Sequence, residues 1–139
     1  MESNELPAQT GAERRLTAIA VPELLQRNDP NVIKLGVENT GEILFRALAE
    51  RLDRTDLAGL DLLDIGCGVR FTQTLVNRDV PFASYTGIDV WPTLVTWLQE
   101  NVEKQDDRFH FSCWKVYNTM YNKAAAPMES YRDLPVSAS

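Results

Sequence analysis

The sequence predicts an α/β fold built on a parallel sheet, and three observations predict it. Short apolar runs that end near an acid alternate with stretches of helical periodicity. The first run, Leu60-Asp-Leu-Leu-Asp64-Ile, meets a glycine turn at Gly66-Cys-Gly68, and the pattern turns helical through Phe71, Leu75 and Val76. The second run, Tyr85-Thr-Gly-Ile88, ends in Asp89, twenty-three positions after Gly66. Right-handed crossovers put successive strands side by side, so three parallel strands in the order 3-2-1 are expected.

Taken in order, residues 1–11 are polar, with Pro7 and Gly11, and read as a flexible tail before a single domain over 12–139. Residues 12–27 carry a helical pattern broken by Pro22, which suits the first turn of a second short helix. Asn28-Asp-Pro-Asn31 reads as a turn. Asn39 followed by Glu42 resembles a capping box, with Asn standing in for Ser or Thr. Ile43, Leu44, Ala47, Leu48 and Leu52 then fall at helical spacing, predicting a helix that leans on the sheet edge or covers a ligand pocket.

Asp53 to Asp56 and Gly59 end that helix, and the first strand is expected at 61–65. A helix over 71–78 follows, Pro81 breaks it, and the second strand covers 84–89. Trp91-Pro92 opens the next helix, with Leu94, Leu98 and Val102 as its buried stripe. Residues 105–108 read as a solvated turn. Phe109, Phe111 and Cys113 then alternate on one face of a third strand at 109–113, leaving His110 outward and without a chemical partner.

A chain of 139 residues is one domain, and 44% apolar with 24% charged residues is a globular composition. No stretch nears ~18 uninterrupted apolar residues, so no membrane span is expected. Nor does the N-terminus pair a basic region with an apolar one, so cytoplasm is the expected setting. A net charge of −6 argues against nucleic acid, which is held by clustered Lys and Arg. Cys67 and Cys113 form neither a CxxC nor a Cys/His cluster, so no metal site is expected.

Strand, glycine turn, helix, strand, acid is the grammar of a nucleotide-type cofactor site. The glycines let the backbone turn sharply beside the ligand, and the acid accepts ribose hydroxyls. A dinucleotide fingerprint requires a third glycine where Phe71 stands. The order Asp64-Ile-Gly-Cys-Gly resembles instead motif I of class I S-adenosylmethionine-dependent methyltransferases. Trp114-Lys-Val-Tyr-Asn118 and Met120-Tyr-Asn122 are similar to elements after strand three in one bacterial group of that family. Two positions depart from the pattern: Arg70 replaces the usual third glycine of the motif, and Lys115 stands where an adenine-binding acid is common.

The resemblance covers about residues 36–136 and implies a Rossmann-like methyltransferase fold with S-adenosyl-L-methionine as cofactor. That fold has seven strands, of which three are visible here. The chain therefore reads as an N-terminal, cofactor-binding part truncated before strand four. Strand one, central in the resembled fold, becomes an exposed apolar edge, which predicts self-association.

The implied cofactor residues are Asp64, Gly66, Cys67, Gly68, Arg70, Asp89, Trp91 and Asn118. Asp64 either orients the glycine loop, faces the cofactor's amino group or caps a helix. Cys67 is a small filler in the turn. Arg70 either pairs with the methionine carboxylate or points to solvent. Trp91 lies against the adenine or packs between helix and sheet. Asn118 bonds the adenine amino group or closes a turn. Trp114 and Tyr117 serve the core or a subunit contact.

No residue stands out as a catalytic base, and methyl transfer from a sulfonium asks chiefly for in-line alignment of an acceptor. The methyl acceptor itself is not legible. Two alternatives stand beside methyl transfer: a catalytically inactive remnant serving as a binding module, and a nicotinamide-dependent oxidoreductase, which Phe71 disfavours.

Overall fold

A computed structural model of the chain describes residues 14–116. The expected tail over 1–11, Tyr117 and Asn118 lie outside the described residues. Among these residues three strands form one sheet: β1 (Asp61–Ile65), β2 (Ser84–Asp89) and β3 (Phe109–Cys113). Both pairings are parallel, in the order β1-β2-β3. Register aligns Asp64 with Gly87 and Phe111, and Ile65 with Ile88 and Ser112. The glycine loop after β1 and Asp89 at the end of β2 therefore emerge at the same end of the sheet.

Among the described residues four helices accompany the strands: α1 (Pro30–Leu35), α2 (Val37–Arg51), α3 (Arg70–Asn77) and α4 (Pro92–Leu98), which continues as a π-helical turn over Gln99–Glu103. Leu94, Leu98 and Val102 are buried as their spacing requires, joined by Val95. They pack on Tyr85, Phe109 and Phe111, whose rings lie 5.6–6.2 Å apart. His110 is exposed.

The N-terminal segment differs from the helical expectation. Residues 14–22 are irregular, and only Glu23–Leu25 forms a 3-10 turn, with Pro22 before it. Here side chains elsewhere, rather than its own carbonyls, take the backbone N–H groups. Asp107 takes that of Arg14 (3.0 Å), Asp106 that of Leu16 (3.0 Å), and Asn77 that of Ile19 (2.8 Å). The segment is thus a strap laid across the fold, with Leu25 in the core.

The Asn28–Asn31 turn is instead a helix start. Asp29 caps α1 by accepting from Asn31 N–H at 2.8 Å, with Pro30 in the first turn. The capping box is also corrected, because α2 begins at Val37 behind Gly36, whose φ of 99° favours glycine. Asn39 reaches back to Leu35 O at 2.9 Å, and Glu42 pairs with Arg78. Gly41 and Ala49 are the buried positions of α2, while Ile43, Leu44, Leu48 and Leu52 are exposed. Gly41 is required by proximity: a Cβ there would sit 2.1 Å from Thr74 Oγ1 on α3.

The 105–108 turn is not solvated throughout. Asp106 is fully buried, bonded to the Arg108 guanidinium (3.0 and 2.8 Å) and to Leu16 N–H. Arg108 in turn lies 4.3 Å over the Phe82 ring. Burial raises the Asp106 pKa, but the bonds from Arg108 and Leu16 outweigh it and hold the carboxyl below its ordinary value.

Candidate functional site

The glycine loop is fastened to the neighbouring strand at three points. Gly66 N–H and Cys67 N–H both donate to Ile88 O, at 2.7 and 3.0 Å. Gly68 N–H donates to Asp89 Oδ2 at 2.9 Å. The other oxygen, Asp89 Oδ1, accepts from Val90 N–H (2.8 Å) and Trp91 N–H (3.1 Å). One carboxylate thereby fixes both loops that leave this end of the sheet.

Gly66 and Gly68 have φ of 77° and 52°, a region L side chains rarely adopt. A Cβ at either would meet nothing within 4 Å, so open space, not protein, lies in front of this backbone. The crowding falls on Gly87, where a Cβ would stand 2.9 Å from both Cys67 Sγ and Phe111 Cδ1. Gly87 therefore makes room for Cys67. Burial pushes the Cys67 thiol up, and the charges of Asp89 and Asp64 add to it, so the thiol stays protonated.

In front of the loop lies a cavity of about 350 Å³. Gly66, Cys67, Gly68, Arg70, Asp89 and Trp91 all line it, which brings together six of the eight expected residues. The opposite wall comes from the strap and α1: Leu25, Arg27, Asn28, Asp29 and Val32. Arg27 stacks 4.8 Å over the Trp91 ring, and Arg70 lies 4.7 Å over the Phe71 ring. Two arginines, Arg27 and Arg70, and two acids, Asp29 and Asp89, thus line one space. The buried Asn28 Nδ2 has no hydrogen-bond partner among the described residues.

Asp64 is not in this cavity. It lines a separate apolar groove between α2 and β1 and accepts from Tyr85 O–H at 2.6 Å. Burial raises the Asp64 pKa, the bond from Tyr85 opposes that, and the Asp89 charge adds to it. The buried Tyr85 hydroxyl is pushed well above its ordinary value by desolvation and by Asp64. Asn118 lies outside the described residues. Lys115 is exposed, while Trp114 Nε1 is buried without a partner among the described residues.

The sequence reading missed Arg27, Asn28 and Gly87. A lone glycine inside a strand is a signal of close approach, and Gly87 carries it. For Arg27 and Asn28 the only local signal is the Asp-Pro helix start beside them. Nothing in their spacing ties them to a loop some forty residues later.

Among the described residues no group of three or more His, Cys, Asp or Glu can hold a metal ion, and no helix is long and apolar enough to cross a membrane. No family model matches the chain, and no solved structure matches it.

Proposed function

We propose that this chain binds S-adenosyl-L-methionine and supplies the cofactor-binding part of a methyltransferase, its three strands being part of a larger Rossmann-like sheet in the order 3-2-1. The observation that carries the reading is the Gly68–Asp89 junction: a left-handed glycine loop held by the acid at the end of the next parallel strand, in front of a cavity.

The residues present fit such a cofactor. A volume of about 350 Å³ falls in the ~300–1,000 Å³ range of small-molecule pockets. Asp89 Oδ2 accepts one backbone N–H and keeps a lone pair for a ribose hydroxyl. Arg70 and Arg27 provide cations for the methionine carboxylate. Asn28 supplies a buried donor in need of an acceptor. Trp91 offers less than expected, since Arg27 already covers one face of its ring.

When bound, the cofactor supplies an electrophilic methyl group on a sulfonium. The chain's own contribution is to hold and orient it. No described side chain is assigned as a base, and the methyl acceptor is not identified. A cytoplasmic setting belongs to the same proposal and is supported by two free thiols, Cys67 and Cys113.

One observation favours the inactive binding-module reading. Asp89 already accepts three backbone N–H groups, a structural task that accounts for an acid here without any cofactor. The oxidoreductase reading is weakened by Phe71, whose ring packs 5.2 Å from Phe45 where the fingerprint needs a glycine.

Calorimetric titration of the chain with S-adenosylhomocysteine and with NAD separates the readings. Saturable heat with the first alone is expected. Binding of NAD alone would transfer the site to the oxidoreductase class, and no heat with either would leave the loop a structural element. A methyl-acceptor screen then separates enzyme from binding module.

A further inference from the structure

The two edges of this sheet are finished in opposite ways. At β3 the outward N–H and C=O of Phe111 are taken by side chains of the π turn: Glu103 Oε1 accepts the N–H at 2.7 Å, and Gln99 Nε2 donates to the C=O at 3.0 Å. That edge is capped at its central residue. At β1 the alternation of the backbone shows which groups remain open. Leu60 C=O and Gly66 N–H both bond toward β2, so the even residues face inward. Asp61, Leu63 and Ile65 therefore direct three N–H and three C=O groups outward, and no strand pairs with that side among the described residues.

The ground beside this edge is apolar on both sides. Leu63 and Ile65 are 55% and 53% exposed, although strands buried on both faces, not edges, carry such side chains. Leu44, Leu48 and Leu52 of α2 are 45%, 40% and 49% exposed and wall a groove of about 410 Å³ along the strand. Together these five residues open on the order of 400 Å² of apolar surface, as large as the largest patch on an ordinary monomer. A symmetric pair offers about twice that, on the order of 800 Å², close to the ~1,000 Å² of a specific interface.

We infer that the occupant of this edge is the β1 edge of a second copy, paired antiparallel about a two-fold axis through Leu63. Five residues with outward groups at the first, third and fifth positions are self-complementary in that arrangement. Leu63 pairs with Leu63 of the other copy, and Asp61 with Ile65, so the six outward groups of each strand meet the six of the other. Because the side-chain period is two, Leu63 and Ile65 of both copies then share one face. The result is a continuous six-stranded sheet. Each copy carries a charge of −6, so association works against repulsion and strengthens as salt screens it. This inference goes beyond the cofactor reading and competes with its larger sheet, in which a further strand would take the β1 edge. Sedimentation reads the edge and calorimetry the cofactor, so the two fail separately.

Sedimentation velocity of the full chain across concentration and salt is the test, with far-ultraviolet dichroism and a thermal melt as controls on folding. A defined dimer, tighter at high salt, is expected. Leu63→Lys should weaken it at least about a hundredfold, since it removes an apolar contact and sets two cations side by side. Should that variant not fold, Leu63→Cys in a Cys113→Ser background decides. Directly paired strand residues have Cα atoms ~5.5 Å apart, within disulfide reach, so mild oxidation should yield a covalent dimer. The equally open Leu24→Cys on the strap should yield none. A monomer at all concentrations overturns the inference, as does open-ended aggregation. So does a dimer indifferent to Leu63→Lys whose Leu63→Cys form does not cross-link. A monomer that instead takes up an unrelated apolar strand peptide would assign the edge to another occupant.

Discussion

Gly68 and Asp89, twenty-one positions apart in sequence, are joined by a 2.9 Å hydrogen bond from the glycine N–H to the carboxylate. The bond makes the loop after β1 and the loop after β2 one rigid rim. Asp89 also lines the cavity in front of which the glycines leave open space.

Asp89→Ala should lose both a ligand contact and the acceptor for three N–H groups. The affinity for S-adenosylhomocysteine should fall by about 1.5–3 kcal/mol, roughly tenfold to a hundredfold, and the melting temperature should fall with it. Calorimetry and a melt read the two effects separately. A lowered melting temperature with unchanged affinity would confine Asp89 to holding the loops.

Gly68→Val should leave the far-ultraviolet dichroism intact and abolish cofactor binding. A β-branched residue at a φ of 52° is strained by roughly 1–2 kcal/mol, and its side chain would project into open space before the loop. Gly68→Asn adopts that φ more readily, so it should fold nearly as stably as the parent yet still impair binding. If both variants bind normally, the ligand does not approach this loop.

Gly87→Ala should destabilise the fold by about 1–3 kcal/mol, because the added methyl meets Cys67 and Phe111 at 2.9 Å. Combining it with Cys67→Ala removes one of the two clashing groups and should recover part of the loss. Urea denaturation of the two single variants and the double variant measures the coupling. Additive losses would mean that Cys67 does not sit over Gly87.

Asp106 predicts a specific acid sensitivity. Its folded pKa lies below the ordinary carboxylate value, so the Arg108 and Leu16 contacts add stability that is complete above the unfolded value near 3.8. That stability is lost as pH falls through the lowered folded value. Asp106→Asn should cost about 1–3 kcal/mol at neutral pH and remove this part of the acid-induced loss. Denaturation midpoints of the parent and variant from neutral to acid pH should converge at the acid end. A constant gap would assign the effect to packing alone.

Features governed by neighbours in sequence were legible in the sequence. The strands at 61–65, 84–89 and 109–113, the glycine turn, the helix after it and the stripe of Leu94, Leu98 and Val102 all follow from local periodicity and punctuation. Side-chain alternation and backbone conformation depend on a few adjacent residues, whereas the six residues that line the cavity came from the resemblance of the Asp64-Ile-Gly-Cys-Gly stretch and not from periodicity.

What only the tertiary structure decided depends on contacts between distant segments. Residues 14–22 have a helical pattern but are irregular, because Asp106, Asp107 and Asn77 capture their N–H groups. Asp64 falls in the groove and not the cavity, because Tyr85 from the next strand takes its carboxylate. Asp106 is buried in an apparently polar turn, because Arg108 and Leu16 satisfy it. The wall of Arg27 and Asn28 arises because the strap crosses in front of a loop some forty residues later. A buried polar group takes whichever partner folding brings within about 3 Å, and no local pattern along the chain records that choice.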